Sequence, residues 1–117
     1  MARFEELEVW RKATQLSAEL YKTLSGLKDF GFRDQITRAG LSIPSNIAEG
    51  HERGSTKELA NFLNYAKGSA GELRTQIYIG MDIGYINHEV GERWLREVEG
   101  ISRMLHSLIR NVRSRNT

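Results

Sequence analysis

The sequence contains no cysteine and a single proline in 117 residues. Without cysteine there is no disulfide framework, no thiolate metal site and no sulfur nucleophile, which fits a reducing compartment and gives the cytoplasm as the expectation. Neither sign of charge dominates: seventeen Lys and Arg stand against fifteen Asp and Glu, a net charge of +2. So small a total points to no polyanionic partner, and the distribution of the charges has to decide. Long apolar runs are also missing. Nothing approaches the roughly 20 residues of a membrane span, and Met1-Ala2-Arg3-Phe4-Glu5-Glu6 is too acidic and polar for an export signal. No strand pattern, internal repeat or low-complexity tract interrupts the chain, and its length suits one domain, residues 1–117, around one core.

What is present is helical rhythm. Leu7, Trp10, Ala13, Leu16, Leu20, Leu24 and Leu27 recur at steps of three and four, predicting a helix from about Glu5 to Ser25 that stops near Gly26. Lys28-Asp29-Phe30-Gly31 reads as a turn into a second helix, about Phe32 to Glu52, with Gly50 and Gly54 bracketing its end. Ser55-Thr56-Lys57-Glu58 has the spacing of a capping box, the Ser hydroxyl accepting from a backbone N–H and the Glu reaching back to the cap. It opens a third helix, carried by Leu59, Phe62, Leu63, Ala66, Ala70, Leu73 and Ile77 to about Ile83, with Gly84 as its stop. Asn87 then caps a fourth helix with Val90, Trp94, Val98, Ile101, Leu105, Leu108 and Val112 on its apolar side. Long helices joined by connections of about three to six residues predict an all-α, antiparallel up-down-up-down four-helix bundle.

The one proline falls inside the second helix. Ile36, Ala39, Ile43 and Ile47 hold helical phase straight through Ser42-Ile43-Pro44-Ser45-Asn46, so the segment reads as a proline-kinked helix, not a loop. Pro44 deletes one backbone hydrogen bond and crowds the carbonyl of Gly40, a cost of roughly 3 kcal/mol. Close helix packing and a few placed hydrogen bonds are the expected compensation. Ala66, Gly68, Ser69, Ala70 and Gly71 on the third helix are small enough to let another backbone approach, and the surface around Pro44 is the natural partner, with a subunit contact as the alternative.

Side chains that could carry chemistry do not gather. His51, His88 and His106 stand at a helix end, a helix start and mid-helix with no second histidine at ligand spacing, so no metal site and no cofactor are expected. Glu49-x-x-Glu52 and Glu89-x-x-Glu92 have the spacing of magnesium-holding carboxylates in all-α nucleotide pyrophosphohydrolases. The third helix supplies only Glu58, Glu72 and Asp82, too dispersed to complete such a cage. No Arg precedes a His within about six positions, no Ser, His and Asp form a triad, and no glycine-rich phosphate loop follows a strand. No catalytic residue is assigned.

Cations do gather. On the fourth helix Arg96, Arg103 and Arg110 fall seven apart with Arg113 beyond them, and the third helix adds Lys67 and Arg74, also seven apart. Arginines repeated over several turns can meet successive phosphates and release counterions. The competing reading is a solvated face in which Glu92–Arg96 and Glu99–Arg103 pairs at i, i+4 neutralise the first half of the stripe.

Three segments in order, Phe4-Glu5-Glu6-Leu7-Glu8-Val9-Trp10-Arg11-Lys12-Ala13, Ser42 to Gly50, and Ala66-Lys67-Gly68-Ser69-Ala70-Gly71-Glu72-Leu73, resemble the four-helix bundle proteins of the 23S rRNA intervening sequence family. The resemblance covers most of the chain, the last helix sharing only the amphipathic pattern. It implies a bacterial binding or assembly protein with no established catalytic activity. It also implies kinship with the accessory variability determinant of diversity-generating retroelements, a ring-shaped pentamer with a basic surface for nucleic acid. A homo-oligomer, a pentamer by preference, and an RNA or ribonucleoprotein partner are therefore expected. The family motif falls on Pro44, Asn46, Glu49 and Gly50 in the second helix and on Gly68, Ser69 and Glu72 in the third. A carboxylate near a helix interface needs a donor, so Glu49 and Glu72 are expected in a polar seam with Asn46, Ser69, Arg38 or Arg74. His51-Glu52 departs from the basic or small residues common after the Gly50 position. Two readings remain: an RNA-binding oligomer, and a structural or protein-interaction module without nucleic-acid contact.

Overall fold

A computed structural model describes residues 3–115. A short 3₁₀ turn, Phe4–Glu6, precedes α1 (Glu8–Thr23), α2 (Phe30–Glu52), α3 (Thr56–Asp82) and α4 (His88–Ser114), and the molecule measures 48 × 21 × 20 Å. Each helix packs on its chain neighbour, and α1 closes onto α4 by the thinnest of the contacts. Cross-helix pairs run in opposite order along the two partners: Lys67 meets His106 and Arg74 meets Glu99.

The apolar periodicity is the core. Leu20, Ile36, Ile43, Ile47, Leu63, Leu73, Ile77, Trp94, Val98, Leu105 and Val112 are fully enclosed, with Ala13, Ala39, Ala66 and Ala70 filling the narrower crossings. Burial of this apolar surface is the main force holding four individually marginal helices in register.

The helix ends explain where sequence and structure part. The first helix is divided, because Leu7 adopts an extended backbone (φ −74°, ψ 128°) between the 3₁₀ turn and α1. Arg11 Nε donates to the Glu5 carbonyl at 2.8 Å and Phe4 sets its ring against Trp10, so the turn folds back on α1 instead of extending it. The second helix begins two residues early, since Asp29 Oδ1 accepts from the Phe32 amide at 3.1 Å and caps it. Ser55 and Asn87 cap as expected, Ser55 Oγ accepting from Glu58 N and Asn87 Oδ1 from Glu89 N and Val90 N. The return half of the capping box is not made: the Glu58 carboxylate lies 3.3 Å from Arg53 Nη1 instead.

Helix α2 runs through Pro44 without a break. Its polar neighbours hydrogen-bond to the helix's own backbone, Ser42 Oγ to Ala39 O at 2.9 Å and Asn46 Nδ2 to Ser42 O at 2.8 Å. Close packing beside the proline comes from Gly40, one turn earlier on the same side, where any Cβ would collide with Leu20 of α1. On this side Gly40 serves the approach to α1, while Ala39 and Ser42 border a depression shared with Glu72 of α3. The α2–α3 approach is made further along by Gly50, whose Cβ would come within 2.9 Å of Phe62 Cβ and 3.4 Å of the Leu59 backbone.

Candidate nucleic-acid interface

The expected polar seam between α2 and α3 does not form. The Glu49 side chain is half exposed and pairs with Arg53 of its own helix, Nε to Oε2 at 3.5 Å. Glu72 is exposed and borders a shallow depression with Gln35, Arg38, Ala39 and Ser42. The two carboxylates lie far apart along the bundle: Gly50 sits against Phe62, and Glu72 is ten residues beyond Phe62, about 15 Å at the rise of an α-helix. Both are solvated, so neither requires a buried donor. Of the third-helix motif, Ala66 and Ala70 are buried as packing residues should be. Gly68 and Gly71 are not in that crossing, since a Cβ at either position would meet nothing within 4 Å.

No three His, Asp or Glu side chains among the described residues come together as metal donors. Glu49 is held by Arg53 and Glu92 by His88. His51 Nδ1 lies 3.0 Å from the Ile47 carbonyl, and His106 Nδ1 lies 3.2 Å from Lys67 Nζ, a contact in which the ammonium donates and the ring nitrogen accepts.

The predicted cations do come together. Along α4, Arg96, Glu99, Arg103, His106, Arg110 and Arg113 follow at steps of three and four, which sets them along one side of the helix. Along α3, Lys67, Gly71, Arg74 and Tyr78 follow at steps of four, three and four. The Arg74–Glu99 ion pair, 3.0 Å, and the Lys67–His106 contact join the two rows into one seam. The neutralising pairs expected within α4 are not made. Glu99 is taken by Arg74 across the seam, and Glu92 turns back to His88 at 3.5 Å. Among the described residues, Arg96, Arg103, Arg110 and Arg113 are left without an ion partner. Arg110 and Arg113 line a shallow depression with Ser107, Asn111 and Ser114, while Arg96 and Arg103 lean over the groove between α4 and α1.

That groove was not anticipated. Two adjoining depressions of about 440 and 520 Å³ share Gly100 and Met104 and run between α1 and α4, over a floor that includes Leu16 and Ile101 at one end and Leu7 and Leu108 at the other. Lys12 borders it, without an ion partner among the described residues. Its end is closed by a charged knot: Glu19 accepts from the buried Trp94 indole N–H at 2.6 Å and from Arg93, which also pairs with Glu97 at 3.3 Å. Arg93 first, and Trp94 second, hold the Glu19 carboxyl below its ordinary pKa. The steps Glu8, Lys12, Gln15, Glu19 could have revealed the α1 wall, but only once α4 was known to face it.

Residues 5–107 match the family described as 23S rRNA-intervening sequence protein. The chain belongs to that family. A crystal structure of a protein of unknown function from the S23 ribosomal protein family of Bacteroides thetaiotaomicron VPI-5482 is similar to it, with 30% sequence identity and a TM-score of 0.81, covering 86% of this chain and 97% of that one. No curated protein matches the sequence. The family assignment spans the proline segment, the glycine-bearing part of α3 and the first four α4 seam residues, Arg96, Glu99, Arg103 and His106, leaving Arg110 and Arg113 beyond its edge.

Proposed function

We propose that this member of the 23S rRNA-intervening sequence protein family is a non-enzymatic, oligomeric bundle that binds RNA or a ribonucleoprotein partner through the α3–α4 seam. The observation that carries the reading is the set of four α4 arginines without an ion partner among the described residues: Arg96 and Arg103 because Glu92 and Glu99 are engaged elsewhere, Arg110 and Arg113 because the helix carries no acid after Gly100. Cations that have no protein partner exchange only water and counterions when they meet phosphates. The ribosomal wording of both the family and its Bacteroides neighbour supports the same reading.

The test is RNA affinity at about 50 and 200 mM salt. A steep loss over that range, and collapse in Arg103→Ala with Arg110→Ala, is expected of several phosphate contacts. Absence of RNA binding at the lower salt overturns the reading and leaves a structural or protein-interaction module.

The oligomer rests on a different surface. Tyr65, Ile79 and Ile83 are about half exposed along the outer side of α3, with Gly68 bare between them. Glu72 and Asp82 on this ridge have no ion partner among the described residues, and the α1–α4 groove offers an apolar floor beside the unpaired Lys12. A ridge on one copy and a groove on the next make a head-to-tail contact, which closes into a ring when the rotation permits, a pentamer being the expected size. Light scattering tests it: a ring at micromolar concentration that dissociates in Ile79→Asp supports the contact, and a monomer refutes it.

A further inference from the structure

Resting on the RNA reading above, we propose that the RNA taken by this seam is single-stranded, and that Tyr78 is the platform on which one of its bases stacks. Tyr78 shares its side of α3 with Lys67, Gly71 and Arg74, the side that borders α4 through Lys67–His106 and Arg74–Glu99. Tyr78 is 50% exposed, and among the described residues it has no ring, cation or hydrogen-bond partner. Phe30 lies under Arg33, Tyr65 stands edge-on to Phe62, and Tyr85 meets both Phe32 and Asp29, while Tyr21, 46% exposed, stands on α1 beside Ser25, Arg33 and Asp34, away from the seam. Tyr78 is the free aromatic surface within the row of cations.

A base can use such a surface only when its own face is bare. In a duplex both faces of an internal base are covered by its neighbours in the stack, so a side-chain ring on a convex helix cannot reach them, whereas a single strand can turn a base onto the ring. Arg74 is tethered by Glu99 one turn before Tyr78, which places a guanidinium beside the same platform and cancels the one carboxylate in the seam. Gly71, between Lys67 and Arg74, presents no side chain into open space, so a sugar-phosphate backbone can come down to the helix there. The α4 row from Arg96 to Arg113 spans about 25 Å at helical rise, enough to follow a strand of several nucleotides.

Fluorescence anisotropy decides it, with a labelled, unstructured 20-nucleotide RNA, alone and annealed to its complement, at about 50 mM salt. The native protein is expected to bind the single strand at least 10-fold more tightly than the duplex. Tyr78→Ala should weaken single-strand binding by roughly 5- to 100-fold with duplex binding unmoved, and Tyr78→Phe should retain it. Because the ring is exposed, all variants should keep the native helical circular dichroism and melting temperature. Equal affinity for the two RNAs, or an unchanged single-strand affinity in Tyr78→Ala, overturns the inference while Arg103→Ala with Arg110→Ala still tests the RNA reading separately. Failure of the native protein to bind either RNA removes both.

Discussion

Glycines on the two sides of this bundle look alike in sequence and do opposite things. Gly40 and Gly50 on α2 are pressed against Leu20 and against Leu59 and Phe62, where a single added carbon has no room. Gly68 and Gly71 on α3 face nothing within 4 Å. On one side the missing side chain brings two helices together, and on the other it clears an outer surface that the fold itself does not use. A helix interior loses about 0.5–1 kcal/mol for each Gly in place of Ala, so the second pair lowers stability without a compensating contact within the described residues. That asymmetry is what the proposed contacts of the α3 surface would use.

The largest effect should come from filling the tight side. Gly50→Leu is expected to destabilise the fold by about 3 kcal/mol or more, since the Phe62 Cβ and Leu59 backbone it would meet cannot swing aside; chemical denaturation measures it, and a change near zero would show that the α2–α3 crossing is loose. Next comes Glu19→Ala, which strands the indole N–H of the fully buried Trp94 and releases Arg93. A loss of about 2 kcal/mol is expected, with Glu19→Gln recovering part of it because the amide oxygen can still accept. Gly68→Ala and Gly71→Ala should raise stability by about 0.5–1 kcal/mol, the opposite sign to Gly50, while weakening self-association or RNA binding. If they destabilise the isolated fold, the contrast between the two sides is wrong.

The smallest effect is a pH slope. Glu19 is held below its ordinary pKa in the folded protein, so its stabilisation is complete above the unfolded carboxylate value, about 4.3, and is lost as pH falls through the lower folded value. Acid titration of stability should therefore steepen from about pH 4 downward, and Glu19→Gln should flatten part of that slope.

How much of this was legible in the sequence follows from what periodicity can and cannot say. Spacing of three and four identified every fully buried apolar position on α2 and most of those on the other helices, because that signal needs only one helix at a time. Asp29 was missed as a cap because Gly31 two residues later made the segment resemble a turn. The choice made by Glu99 was hidden for another reason: i, i+4 spacing permits Arg103, but Arg74 competes from a different helix. The same limit hid the direction of Gly68 and Gly71, which depends on where α2 and α4 stand around α3, and the α1–α4 groove, whose two walls lie at opposite ends of the chain. The seam residues were found as cations, and the freedom of Arg96 and Arg103 from the i, i+4 carboxylates became visible only with the other helices in place.

Trp94 gives the molecule a built-in optical reporter. Its indole is enclosed and bonded to Glu19 at the end of the α1–α4 groove, while Trp10 is partly exposed beside Phe4 near the chain's start. The two emitters therefore sit in unlike surroundings, one dry and hydrogen-bonded to a carboxylate, the other wetted. Replacing Trp10 with Phe leaves a single fluorophore whose emission maximum and quenching follow the state of that one carboxylate, so docking in the groove can be followed by light without attaching a label.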